Sequence, residues 1–280
     1  MYISSTDDFD LSKIARSGQC FRVKEFEDGR FRFVTGREVL YIRRRSAGCF
    51  EVSCPVETWQ RVWVPYFDLG RSYFPVQEII PDSDTYMKLA AKEGRGIRIL
   101  RQDPWEMLVT FIISQRKSIP AIQNAVELLA GRFGEAVTTL YETVYTFPTA
   151  AQLAAAEGGD LAACKLGYRV PYIQDAVAKV LSGQIDLAAL ADLPDAELFE
   201  TLKTIRGVGD KVANCICLFS YGRMSAAPID TWIHKIIARE YGGKNPFPAY
   251  GEYAGILQQF AFYYAIAHKE RFAGAGGGRT

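Results

Sequence analysis

The sequence predicts an α+β protein, and three observations carry that prediction. The first third is built of short β-branched and aromatic runs separated by glycine-containing turn pairs. From about Pro81 the apolar period changes from two to 3.6 residues, the mark of helices packed on one face. At 280 residues the chain also exceeds what a single core serves comfortably, so two domains are expected. The division is placed at a β-rich region 1–97 and an all-helical region 98–272, followed by a glycine-rich tail over 273–280 that reads as flexible.

The β-rich region reads as an antiparallel meander. Its runs lie near Cys20–Phe26, Arg30–Val34, Glu38–Arg43 and Cys49–Cys54, with Asp28-Gly29, Thr35-Gly36 and Ala47-Gly48 as turn pairs. Arg43, Arg44 and Arg45 form the one tight basic triplet, which reads as a solvated strand end. Composition adds bounds: 49% hydrophobic and 23% charged residues describe a globular chain, and a net charge of +1 excludes a polybasic coat. Contact with nucleic acid must therefore be local. The six cysteines are scattered and suggest no disulfide framework. The acidic N-terminus is no signal peptide and no apolar run spans a bilayer, so a cytoplasmic location is expected.

Asp103-Pro104-Trp105-Glu106 opens the helical region in the form of a helix start: capping carboxylate, proline at the first position, glutamate at the third. Further helices are expected around Ile119–Phe133, Ala150–Ala156, Pro171–Leu181, Asp195–Ile205, Asp210–Ser220, Ile229–Tyr241 and Tyr250–Ala267.

The most informative segment runs from Leu202 to Cys215. Leu198, Leu202 and Ile205 share one helix face, Val212, Ile216 and Phe219 the next, with Gly207-Val208-Gly209 between them. Two glycines around one apolar residue allow a sharp turn that the valine pins to the core. The amides opening the second helix would then point outward and hold a phosphate without added charge. A plain helix–helix corner has the same pattern. Lys211 stands in the first turn of that second helix, where the macrodipole disfavours an ammonium. Partial burial would favour the neutral amine that a nucleophile requires, although a lysine on a helix surface is usually just solvated. Asp230 precedes Ile233, Ile236 and Ile237 and reads first as an N-cap. A carboxylate fixed there would also stabilise positive charge developing on a sugar. In the last long helix Tyr253, Ile256, Leu257, Phe260 and Tyr264 make the core stripe, while Gln258 and Phe262 fall off it. An amide beside a large aromatic there suits a base platform.

Taken together, these features resemble the helix-hairpin-helix (HhH-GPD) DNA glycosylase superfamily, and within it the 8-oxoguanine DNA glycosylases of the Ogg type. The resemblance rests on Ser17-Gly-Gln-Cys-Phe-Arg22, Gly96-Ile-Arg-Ile-Leu-Arg-Gln-Asp-Pro104, Lys165-Leu-Gly-Tyr-Arg169, the hairpin segment, and Tyr253-Ala-Gly255 with Gln258 and Phe262. It implies a TBP-like antiparallel N-terminal domain that contributes to the base pocket and a helical catalytic domain. It also implies a base flipped from duplex DNA. Lys211 would attack C1′, displace the oxidised purine as a Schiff base forms, and nick the strand by β-elimination. Asp230 would stabilise the sugar's charge. Gly18 would accept the N7 proton that distinguishes 8-oxoguanine from guanine, Gln258 would meet the Watson–Crick edge, and Cys215 and Phe262 would stack on the base. Tyr168 would be the wedge and Arg169 a reader of the orphaned base. The hairpin of Gly207, Val208 and Gly209 would grip the phosphate, with a structural monovalent cation on its carbonyls and no other cofactor. The expected partner is double-stranded DNA containing 8-oxoguanine, met by a monomer with no membrane attachment.

Three positions depart from the longer eukaryotic members, which carry asparagine at Arg116, arginine at Ala121 and histidine at Trp232. The first two changes imply a weaker preference for cytosine opposite the lesion. The third puts the phosphate contact of Trp232 in doubt. Only two histidines exist and no cysteine follows Cys217, which argues against a metal enzyme and against the iron–sulfur relatives. A monofunctional alkylated-base glycosylase is the alternative enzyme, lacking the lysine. A non-catalytic hairpin module binding DNA is the alternative outside catalysis.

Overall fold

The computed structural model describes residues 1–5 and 7–272; the glycine-rich segment expected to be a flexible tail lies outside the described residues. Strands β1 (Tyr2–Ser4), β2 (Lys24–Glu25), β3 (Phe31–Thr35), β4 (Glu38–Ser46) and β5 (Cys49–Val52) form an antiparallel sheet in the order β1-β5-β4-β3-β2. β3 and β4 pair from Phe31↔Ile42 to Thr35↔Glu38, so the turn is the two residues Gly36-Arg37. Gly36 supplies the positive φ of 55° that such a turn demands. The arginine triplet lies at the solvated end of β4, with Arg44 and Arg45 exposed, and there Arg43 and Arg45 both pair with Glu51, at 2.7 and 2.8 Å.

Strand content in the first third is lower than the sequence suggests. The run at Cys20–Phe26 yields only Lys24–Glu25, and from Val56 to Tyr66 the chain is helical, as it is again at Pro75–Glu78. The reason is periodicity. Trp59, Trp63, Tyr66 and Phe67 recur at helical spacing and are all buried, but their aromatic character imitates a strand when propensity alone is read. The helical part in turn carries one addition, the hairpin of β6 (Ala136–Thr138) and β7 (Thr143–Tyr145).

Among the described residues eight helices have nine residues or more: α1 (Thr85–Gly94), α2 (Pro104–Ser114), α3 (Ile119–Phe133), α4 (Val170–Leu181), α5 (Asp195–Lys203), α6 (Asp210–Phe219), α7 (Thr231–Glu240) and α8 (Ala254–Ala267). By contacts the chain forms two compact units, one of residues 1–20, 43–101 and 222 onward, the other of 21–42 and 102–221.

In the first unit α8 lies along α1, with the Phe260 side chain seated on Gly94. A Cβ at Gly94 would fall 2.6 Å from the Phe260 ring, so glycine permits the approach. Asp84 caps α1 through the Met87 amide at 2.9 Å and also accepts the Tyr241 hydroxyl at 3.0 Å. Arg98 is wholly buried, paired with Asp7 at 2.9 Å and seated 3.8 Å from the Tyr73 ring centroid. In the second unit α2 is the central helix, packing against α3, α4 and α6. Its cap forms as its sequence predicts, Asp103 accepting from the Glu106 amide at 2.8 Å. Phe111 of α2 stacks on Phe219 of α6 with centroids 5.7 Å apart and receives the edge of Phe21 at 5.9 Å.

Candidate active site

The turn joining α5 to α6 carries the hairpin motif. Ile205 and Val208 are buried, and the Val208 amide donates to the Ile205 carbonyl at 3.0 Å, so the valine does pin the turn. The two glycines act differently. Gly207 adopts φ +83°, and an added Cβ would meet the Tyr172 ring at 2.4 Å. Gly209, the N-cap of α6, is extended at φ −99°, and a Cβ there would meet nothing within 4 Å. The fold needs glycine at the first position only. Glycine at the second keeps the ground before the α6 amides clear for a close-approaching group.

Lys211 lies in the first turn of α6, half-buried, its Nζ 4.8 Å from the Phe111 ring centroid. No carboxylate among the described residues pairs with it. The helix N-terminus disfavours an ammonium there, while the Phe111 ring face attracts it and fixes where the amine lies. One turn on, Cys215 shares this face and is buried. Some of the positive charge around the hairpin is spent: Lys203 bridges Glu200 at 3.3 Å and Asp210 at 3.0 Å.

Beside the hairpin, a second group of residues gathers around the end of α2. Tyr168 is exposed, whereas Arg169 is 5% exposed and packs 4.3 Å from the Tyr168 ring centroid. The Arg169 guanidinium donates to the carbonyls of Leu166, at 3.1 Å, and Gln115. It is committed within the protein and is no solvated side chain. Arg116 is exposed with φ +53°, a left-handed conformation that a non-glycine residue adopts at a cost. Lys117 donates to the Lys165 carbonyl at 2.8 Å, and burial, then Arg169 and Lys165, hold its ammonium below the ordinary lysine range.

The first unit carries the remaining candidates. Asp230 caps α7, its Oδ1 accepting from the amides of Trp232 at 3.0 Å and Ile233 at 2.8 Å. Trp232 is half-buried, and the Lys235 ammonium sits 4.7 Å from its ring centroid, bringing a cation to a position the sequence leaves uncharged. Gly18 (φ +75°) is clamped on both sides. Ser17 is buried with its carbonyl bonded by Gln259, and Gln19 joins Ser17 Oγ at 2.8 Å to the Arg98 carbonyl at 2.9 Å. The Gly18 carbonyl is thereby set by its neighbours.

Gln258 is 4% exposed although it lies off the core stripe, because the first turns of α8 are buried on all sides. Its Oε1 is buried without a hydrogen-bond partner among the described residues, and a buried acceptor left open at a measurable cost fits a site awaiting a donor. Phe262, one turn further, is half-buried.

Sequence reasoning assigned no role to Phe111, Lys117 or Gln115. Phe111 reads as ordinary core of α2, and nothing in the spacing of Gln115 marks it among its neighbours. Among the described residues no cluster of three or more His, Cys, Asp or Glu side chains could hold a metal ion.

Residues 109–258 match the family model of HhH-GPD superfamily base excision DNA repair proteins, and residues 1–108 that of the 8-oxoguanine DNA glycosylase N-terminal domain. The chain belongs to the HhH-GPD superfamily. Its N-terminal part is of the Ogg type. Among solved structures it is similar to MBOgg1 in complex with a low-affinity DNA ligand, with a TM-score of 0.90, 36% identity and 96% of each chain covered. The 8-oxoguanine glycosylase/lyase of Clostridium acetobutylicum, bound to double-stranded DNA with cytosine opposite 8-oxoG, gives a TM-score of 0.88 at 31% identity, covering 96% of this chain and 98% of that one. A probable N-glycosylase/DNA lyase of Methanothermobacter thermautotrophicus is 29% identical over 92% of this chain and 94% of its own length. No helix among the described residues is long and apolar enough to cross a membrane.

Proposed function

We propose that this protein is a DNA glycosylase with abasic-site lyase activity that excises 8-oxoguanine from duplex DNA. The observation that carries the reading is Lys211: a half-buried amine over Phe111, in the first turn of the helix that the hairpin opens, with no carboxylate paired to it among the described residues.

In this scheme the flipped nucleotide offers its C1′ to the neutral Lys211 amine. The N–C1′ bond forms as the C1′–N9 bond breaks, and the base leaves with the electron pair and takes up a proton. Loss of the lysine proton and opening of the sugar ring, with O4′ protonated, leave a Schiff base. Removal of a C2′ proton then expels the 3′ phosphate and nicks the strand. Asp230 stabilises the positive charge on the sugar. The Gly18 carbonyl accepts the N7 proton of 8-oxoguanine, Gln258 Oε1 takes a donor from the Watson–Crick edge, and Cys215 and Phe262 flank the base. Tyr168 fills the gap in the stack, with Arg116 and Arg169 beside it. Phosphate is held at the amides after Gly207-Val208-Gly209, and by Trp232 with Lys235.

A structural monovalent cation would sit on the carbonyls of the hairpin turn, but the Thr204 carbonyl is already bonded by the Lys179 ammonium and the Gly207 carbonyl by the Gln115 amide, so neither is open to it. With chromosomal DNA as substrate, the enzyme acts as a monomer on the nucleoid.

Borohydride trapping on a duplex containing 8-oxoguanine tests the reading. A covalent adduct is expected, and Lys211→Gln abolishes it. Base release without an adduct would instead indicate a monofunctional glycosylase, and DNA binding without release a non-catalytic module.

A further inference from the structure

Gln115 ends α2 and serves two neighbouring elements at once. Its side-chain amide donates to the Ile112 carbonyl of its own helix at 3.2 Å and to the Gly207 carbonyl of the hairpin at 3.0 Å. Its backbone carbonyl accepts from the Arg169 guanidinium and from the Tyr168 hydroxyl at 3.5 Å. The next residue, Arg116, takes the left-handed conformation that turns the chain away.

These contacts close a ring. Gly207 lies against the Tyr172 ring, so closely that a Cβ would reach it at 2.4 Å. Tyr172 meets Tyr168 edge to face at 6.0 Å, Tyr168 lies 4.3 Å under the Arg169 guanidinium, and Arg169 returns to Gln115. The hairpin that opens the lysine helix and the turn bearing the exposed Tyr168 are thus tied twice, through aromatic packing and through one glutamine.

We propose that Gln115 is a positioning residue: it locks the hairpin to the Tyr168–Arg169 turn so that the part probing the duplex and the part presenting Lys211 keep one register. The proposal rests on the glycosylase/lyase reading above. A water could replace a hydrogen bond of the half-buried Gln115, but it could not hold Gly207 and the Gln115 carbonyl at a fixed separation. The lock matters when an intact lesion must be flipped and attacked together. It matters little for an abasic site, where no base has to be displaced.

The test compares single-turnover rates on two duplexes, one containing 8-oxoguanine and one a preformed abasic site. Gln115→Met keeps the length of the side chain and removes both donors. It should slow base release about tenfold, the scale of one lost hydrogen bond, and leave strand cleavage at the abasic site within about twofold. Gln115→Glu sets a carboxylate against the Gly207 carbonyl and should behave the same way or worse. Tyr172→Leu opens the other side of the ring and should give the same selective loss, which keeps the proposal testable if either Gln115 variant folds poorly. In the double variant the losses should fall short of their product, because one ring is broken only once. Equal slowing on both duplexes, no slowing, or fully multiplying losses would overturn the proposal. Wild-type protein inactive on both duplexes would instead remove the functional reading beneath it.

Discussion

The Tyr172 ring occupies the space that a side chain at Gly207 would need: a Cβ there would lie 2.4 Å from Tyr172 Cδ2, in a backbone already at φ +83°. Gly209, two residues on, has extended backbone and open space around it. Equivalent substitutions should therefore separate fold from function. Gly207→Ala should destabilise the protein by about 1–3 kcal/mol through strain and collision. Gly209→Ala should leave stability unchanged or raise it by up to about 1 kcal/mol, because the unfolded chain loses freedom. The second variant should nevertheless bind duplex DNA more weakly, since the new methyl stands before the α6 amides. Urea unfolding and a DNA-binding isotherm on both variants check this; tight binding by Gly209→Ala would remove the proposed phosphate contact.

Asp230 holds two amides of α7 through one oxygen, at 3.0 and 2.8 Å. Asparagine caps a helix about as well as aspartate, whereas alanine loses about 0.5–2 kcal/mol. Asp230→Asn should then melt like the wild type and Asp230→Ala lower, while both lose about 100–1,000-fold in base release for want of the negative charge. If Asp230→Asn keeps its rate, the carboxylate is a cap and nothing more.

The contrast between these residues shows what the sequence could and could not convey. The cap at Asp230, the buried Val208 and the helix after Pro104 follow from local rules, since each is decided within one turn of chain. The helices over Val56–Tyr66 did not, because Trp59, Trp63 and Phe67 carry strand propensity on a helical period, and only burial decides between the two. The commitment of Arg169 to the Gln115 carbonyl was equally hidden. It joins residues 54 apart in sequence, and no spacing rule links them. Lys203 is a smaller case: its charge is met by Glu200 within its own helix at 3.3 Å and by Asp210 across the hairpin at 3.0 Å.

Arg116 sits at φ +53° with its side chain exposed. Asparagine tolerates this conformation better than arginine does, so Arg116→Asn should raise stability by about 0.5–1 kcal/mol. The proposed relaxed choice of opposite base has its source here, in a long cation where a short amide would be more selective. Wild-type protein should excise 8-oxoguanine at comparable rates opposite all four bases, and Arg116→Asn should shift the ratio toward cytosine. Strong cytosine selectivity in the wild type, measured as single-turnover rates on the four duplexes, would sink the idea.

Glu106 presents a pH dependence with a definite sign. It is 5% exposed, and burial, opposed by Arg22 and reinforced by Asp103 and Glu127, pushes its carboxyl from 4.5 up to about 7. A folded-state value raised above the unfolded one means that the native protein binds the proton more tightly. Stability from this group is therefore full below pH 4.5 and drains away as pH rises through 7. The shift sets an upper scale of about 3 kcal/mol. Glu106→Gln keeps the shape without the charge, so it should match the wild type at about pH 4.5 and exceed it at about pH 8 in chemical unfolding. The buried Arg22 already has Glu127 at 2.9 Å, so neutralising Glu106 does not leave that guanidinium unpaired. A variant less stable than the wild type at the higher pH would mean that Glu106 works as a second partner for Arg22, and the desolvation argument would fail.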